Sequence, residues 1–457
     1  MISTVLAFVF TLGVLIVVHE YGHYRVAVAC GVKVLRFSVG FGRVVWRRQR
    51  DADSTEFTLC LLPMGGYVRM LDEREEPVAP ELLDRAFNRK SLWQRGAIVS
   101  AGPLANLALA VLLFAAAQWI GVSEPKSVLG APPAGSLADR AGLRAGDWVR
   151  ALSHDGVDWQ DLQSMTELRW ELTQSALRGE PVQLTVSDRD GHGSRSVALD
   201  LDRLEHRDVD AAALKEIGIG APYSEPLLGE VQPGGPAAAA GLRAGDRVLR
   251  LDGVDVPDAQ YLRERIRASV RDKAGVAMSW EIARGGDTLS LRVVPRVVVD
   301  AAGNDIGRVD AYVGQPPAMV TVRHGPIEGL SRGLSRTWEV SALSLRMLGR
   351  MIVGEASLKN LSGPLTIADY AGQSVNQGLA YYLGFLALVS VSLGVLNLLP
   401  LPMLDGGHLM YYIFEAVTGR PVSDLWLARL QRGGMAILLL MMSVALFNDV
   451  ARLMGLH

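Results

Sequence analysis

LIVVHEYGHYRVA, residues 15–27, puts two histidines and a glutamate at the tail of an unbroken apolar run. Residues 2–18 carry no charge, at the short end of what crosses a hydrocarbon core of roughly 30 Å. An ionisable side chain in such a segment is costly and by default marks a function. On a helix, residues four apart share a face, so His19 and His23 project together, with Glu20 one position along.

Three further stretches have the length and apolarity of spans. Residues 97–123 and 378–404 are uncharged throughout, and the shorter 433–448 is flanked by Arg432 and Asp449. No basic residue precedes the first run and no small-residue cleavage pattern follows it, so a retained span is expected rather than a signal peptide. Residues 24–96 hold 13 Lys and Arg, and the loop between spans three and four holds Arg420, Arg429 and Arg432. The positive-inside rule then predicts both loops in the cytoplasm, with both termini and the long segment 124–377 outside. A net charge of −2 gives no global pull toward nucleic acid. Cys30 and Cys60 are the only cysteines and form no C-x-x-C, so no disulfide framework is implied.

The outer segment repeats itself. AGLRAGD stands at 141–147 and again at 240–246, each copy leading into a short apolar strand and a D-G turn. That spacing suits two tandem small domains, expected over 124–221 and 222–315. The pattern resembles bacterial PDZ domains, which bind extended peptides or C-termini by adding a strand to a sheet edge. Candidate grooves begin at Leu129-Gly130 and Leu228-Gly229. A β-rich spacer or steric gate without ligand is the alternative. In 316–377, Ile327, Leu330, Leu334, Trp338, Leu345, Leu348 and Ile352 recur at helical spacing and predict an amphipathic helix, lying on the membrane or packed in the core.

His19-Glu20-Tyr21-Gly22-His23 fits H-E-x-x-H, in which two imidazoles hold one Zn²⁺ and the glutamate serves as general base. A third ligand must come from elsewhere. Asp405, in NLLPLPMLDGGH at 397–408, is the only carboxylate between Tyr370 and Tyr412. Pro400 and Pro402 would break the third span and Gly406-Gly407 would let the chain turn, so the carboxylate can face the first span. His408 is a rival ligand ranked below it. Asn397 reads either as a helix-packing amide or as a substrate donor. Residues 34–70 hold two apolar β-prone runs separated by RRQRDADS, which predicts a hairpin; its apolarity fits a loop dipping into the membrane.

H-E-x-x-H at the end of the first span, a distant L-D-G after another and PDZ-like units between them resemble the site-2 protease family of intramembrane zinc metalloproteases. The blocks CGVKVLRFSVGFG (30–42), LLPMGGYVRMLDE (61–73), AGPLAN (101–106) and NLSGPLTIA (360–368) extend the resemblance over essentially the whole chain. It implies zinc on His19, His23 and Asp405, with Glu20 activating water and Asn397 holding substrate main chain. It also implies a re-entrant β-loop that receives substrate as a strand, making Gly40, Gly42, Gly65 and Gly66 candidate contacts.

The expected protein is thus a polytopic α-helical bacterial inner-membrane protein. It has four transmembrane helices (1–23, 97–123, 378–404, 433–449), a membrane-associated β-hairpin loop in 24–96, two tandem periplasmic PDZ domains of α+β type, and a cytoplasmic loop at 405–432. Its implied substrates are single-pass membrane proteins, an anti-sigma factor already trimmed outside or signal-peptide remnants, with the lipid bilayer and PDZ peptide ligands as further partners. Two other readings remain: a PDZ-bearing membrane scaffold with a structural zinc, and a metal transporter, which the sparse polarity of the second span disfavours.

Overall fold

The computed structural model describes residues 2–51, 53–203, 216–300, 303–353 and 363–453. The chain divides into two compact units, Ser123–Val322 and the segments on either side of it. The flanking unit contains helices α1 (Ile2–Ala29), α2 (Leu92–Ile120), α3 (Pro326–Ile352), α4 (Pro364–Gln377), α5 (Leu379–Asn397), α6 (Asp405–Thr418) and α7 (Asp424–Leu453), with strands β1 (Val34–Arg48) and β2 (Glu56–Met70). Among the described residues four helices are long and apolar enough to cross a membrane: α1, α2, α5 and α7.

The boundaries move for identifiable reasons. α1 continues to Ala29, so the H-E-x-x-H motif lies inside the helix rather than at its end. α2 starts at Leu92 because Ser91 and Gln94 form a capping box ahead of the apolar run. α5 stops at Asn397, short of Pro400 and Pro402, which cannot continue a helix. The segment expected as a loop from 405 holds a helix, α6; the amphipathic helix expected over Ile327 to Ile352 is α3, and a further helix, α4, follows it. Residues 360–362 of the NLSGPLTIA block lie outside the described residues.

Of the two uses expected for the α3 stripe, packing in the core is not the one seen. Ile327, Leu330, Leu334, Trp338 and Leu345 are exposed, whereas Thr337 is buried. The face against α2 is small: a side chain at Gly329 would strike the Trp119 indole, and one at Gly333 the Val111 carbonyl. Small residues four apart let helix backbones approach closely. That spacing was the legible signal for this contact, and the apolar periodicity masked it.

The hairpin is also more folded than expected. Val34–Val39 lies between both halves of β2, Arg36 pairing with Glu56 on one side and Arg69 on the other, while Val44–Arg48 pairs with Phe57–Cys60. Two long strands thereby curl into four sheet segments. The bends fall at Gly40 and Gly42, both with φ of 86°, and at Gly65, φ 112°, which a side chain would disfavour.

In the second unit each repeat builds the same antiparallel sheet. Gln160–Asp161, Trp148–Ser153, Val182–Ser187 and Arg195–Leu199 lie in that order, and Val254–Asp255, Arg247–Leu251, Met278–Arg284 and Asp287–Val293 repeat it. A helix follows the second strand in each, Met165–Arg178 capped by Ser164 and Ala259–Arg267 capped by Asp258. Leu168, Leu172 and Leu184 centre one core, Trp280, Leu262 and Ile282 the other. The repeated aspartates do the same work: Asp147 accepts from the Arg144 amide and Arg195, Asp246 from the Arg243 amide and Arg284.

Leu129 and Leu228, where strand-adding grooves were expected, belong to the two cores. Their amides donate to the Asp147 and Asp246 carbonyls, and their carbonyls accept from Gly146 and Gly245. Gly130 donates to the Ala221 carbonyl, and Leu228–Val231, which includes Gly229, pairs with Ala311–Val313.

Candidate metal centre and active site

Three helices bring the polar groups together. His19 and His23 project from α1, and Asp405 is the first residue of α6, reached by the turn after α5. Asp405 Oδ2 lies 3.3 Å from His19 Nε2 and 3.5 Å from His23 Nε2. The two Nε2 atoms are 3.3 Å apart. Ligands at a tetrahedral zinc with bonds of roughly 2.0–2.1 Å are themselves roughly 3.3–3.4 Å apart. The three atoms thus form one near-equilateral face of such a tetrahedron, leaving its fourth corner for water or substrate. His408, the rival ligand, is outside this cluster and packs edge-on against Tyr411.

α2 fixes the imidazoles from behind. His23 Nδ1 is 2.8 Å from the Ile98 carbonyl oxygen, which can only accept, so Nδ1 carries the hydrogen and Nε2 keeps its lone pair. The contact requires two helices almost touching. A side chain at Gly102 would meet the His23 ring, and one at Gly22 the Ala101 carbonyl. The glycine inside H-E-Y-G-H is therefore part of the site's construction, and Gly102, in the AGPLAN block, is a spacing residue that sequence reasoning missed.

Glu20 is buried on the same helix, three residues before His23. β2 crosses it so closely that a Cβ on Gly66 would stand 2.8 Å from Glu20 Cγ and 2.8 Å from the Ser38 carbonyl. Gly66 thus belongs to the wall over the glutamate, while Gly40, Gly42 and Gly65 serve the bends that bring that wall in. Asn397 is the last residue of α5, and its side chain has no hydrogen-bond partner among the described residues.

A buried glutamate beside two histidines and an aspartate at zinc-ligand spacing can do water-activating hydrolytic chemistry. Sequence comparison agrees: the profile of peptidase family M50 matches residues 7–441. The chain belongs to peptidase family M50. A putative zinc metalloprotease of Ralstonia nicotianae is 44% identical over 464 residues, covering 99% of each chain. The regulator of sigma-E protease RseP of Escherichia coli is 40% identical over 457 residues, covering 98% of each. A putative zinc metalloprotease of Neisseria meningitidis is 39% identical, covering 99% of this chain and all of that one. This M50 peptidase is therefore a metalloprotease of the site-2 type, with four candidate membrane helices.

Proposed function

We propose that this M50 peptidase hydrolyses a peptide bond within the membrane segment of single-pass proteins, using zinc held by His19, His23 and Asp405. The observation that carries this reading is the meeting of three ligand atoms from α1 and α6 at the separations of a zinc tetrahedron, beside a buried glutamate. When bound, zinc supplies Lewis acidity to the scissile carbonyl and acidifies water. Glu20 takes the proton from the attacking water and returns it to the leaving amine. The amide of Asn397 holds substrate main chain, and the curled sheet of β1 and β2 receives the substrate as an extended strand. A helical substrate segment must unwind first, because its scissile carbonyl is otherwise shielded.

The relatives named regulator of sigma-E protease support the substrate class we propose: an anti-sigma factor already trimmed on its outer side, with signal-peptide remnants as a second class. The site then lies toward the cytoplasmic side of the bacterial inner membrane, and Ser123–Val322, a tandem of PDZ-like domains, lies in the periplasm. The basic residues of the first loop support this orientation.

The test is cleavage of a truncated single-span substrate by the purified protein in detergent, with zinc assayed alongside. Glu20→Gln should keep its zinc and lose roughly 10²–10⁴-fold in turnover. If both proteins bind zinc and Glu20→Gln cleaves as well as wild type, the glutamate is not the base and a scaffold with structural zinc becomes the better account.

A further inference from the structure

The ring of His19 has a neighbour that the proposed chemistry does not yet use. Asn106, fully buried on α2, places its amide against the back of that imidazole, Nδ2 lying 3.4 Å from His19 Nδ1. Its Oδ1 is buried and has no hydrogen-bond partner among the described residues. Each half of this arrangement is unfavourable if His19 Nε2 ligates a metal. Nδ1 must then carry its hydrogen and faces an NH₂ group, donor against donor. Meanwhile an acceptor oxygen is left bare in a dry interior, which costs its full desolvation. The two ends of a carboxamide are nearly isosteric, so a half-turn about its last bond resolves both. Oδ1 then accepts from His19 Nδ1–H.

We propose that Asn106 is a positioning residue for the metal centre, its Oδ1 fixing the tautomer and orientation of His19 as the Ile98 carbonyl fixes His23. Both acceptors come from α2. They stand two helical turns apart, at residues 98 and 106, and serve ligands one turn apart on α1. The Asn106 backbone is anchored in turn, its carbonyl accepting from Ser390 Oγ on α5 at 2.7 Å. A buried asparagine between helices has the ordinary alternative of gluing them together. That role would need the amide group's partners on another helix backbone, whereas among the described residues the only partner Asn106 finds for its side chain is the imidazole.

This inference rests on zinc being held by His19, His23 and Asp405, and the experiment separates the two. Zinc dissociation constants of the full-length protein in detergent are measured by chelator competition, and visible spectra are taken after Co²⁺ replacement. The variants are Asn106→Leu, Asn106→Asp and His23→Ala. Asn106→Leu, close in volume, should lose about 10–100-fold in zinc affinity and shift the Co²⁺ bands. Asn106→Asp, which still accepts from Nδ1–H, should bind zinc at least as tightly as wild type. Unchanged affinity and spectrum in Asn106→Leu would overturn the proposal, as would a loss in Asn106→Asp as large as in Asn106→Leu. If Asn106→Leu does not fold, Asn106→Asp decides: wild-type affinity supports the role and a tenfold loss refutes it. If His23→Ala also leaves zinc affinity unchanged, the metal-site reading itself fails, rather than the role of Asn106 alone.

Discussion

Two glycines decide how tightly the histidine-bearing helix can approach its neighbour. Gly22 and Gly102 face each other across α1 and α2, and the space a side chain would fill is taken by the His23 ring and the Ala101 carbonyl. Gly102→Val should push the ring off Ile98 and spread the ligand atoms. A misplacement of about 1 Å in a reacting group costs on the order of 10²-fold in rate. The expected outcome is a protein that still folds in detergent, with turnover and zinc content both depressed; turnover and zinc equal to wild type would show that the contact relaxes at no cost. The same scale explains what was legible here. H-E-x-x-H announces its metal chemistry because spacing along one helix is a local property. Gly102 and Asn106 carry no local signature, since their roles exist only once α2 lies against α1.

At the scale of elements, the structure relies on carboxylates that cap and clamp. Asp449, near the end of α7, is buried and accepts from the amides of Gly363, Leu365 and Thr366 at the start of α4. It thereby caps a helix 80-odd residues earlier in the chain, satisfying amides that α4 leaves open. Asp449→Ala should cost about 1–3 kcal/mol by stripping those amides of their acceptor. Thermal unfolding and limited proteolysis near residue 363 would read it, and an unaltered profile would mean that water replaces the carboxylate there. In the second repeat, burial raises the Asp246 carboxyl, but hydrogen bonds from Arg284 and the Arg243 amide outweigh it and hold the group below the usual carboxylate range. A depressed folded value means the unfolded chain takes up the proton first as pH falls. The stabilisation is whole above the ordinary value of about 4 and fades as pH drops through the folded value. Unfolding of Ser123–Val322 in the full-length protein should therefore steepen in acid, and Asp246→Asn should flatten that dependence. An identical acid slope in the two proteins would remove Asp246 as a contributor.

For the molecule as a whole, we propose the periplasmic pair as a selectivity device rather than a catalytic part. The two repeats have separate cores, and they are tied to each other: Asp258 caps its own helix through Oδ1 and accepts from the Ala131 amide of the first repeat through Oδ2, at 2.6 Å. Such a tie suits a body that excludes bulky outer domains. Deleting residues 124–320 should then let the enzyme cleave untrimmed substrate while trimmed substrate is cleaved as before. Selectivity unchanged by the deletion would place the filter elsewhere, with the exposed apolar stripe of α3 as the next element to test.

The sequence by itself determined the apolar helices, the repeat and the pairing of His19 with His23 on one helix face, because apolar length, exact repetition and i, i+4 spacing are properties of a chain read in one dimension. It also placed Asp405 correctly beside His19 and His23, since that was the sole carboxylate available after a proline-broken span. Tertiary structure alone decided the curl of β1 and β2, in which one strand pairs on both its edges. It decided that the Gly face of α3 rather than its leucine stripe meets α2. It tied the backbone of Leu129 to Gly146 and Asp147, and that of Leu228 to Gly245 and Asp246. Each of these outcomes is a choice among surfaces that the sequence makes equally available. What selects one is the nearest approach of two backbones, and that distance is set by residues far apart along the chain.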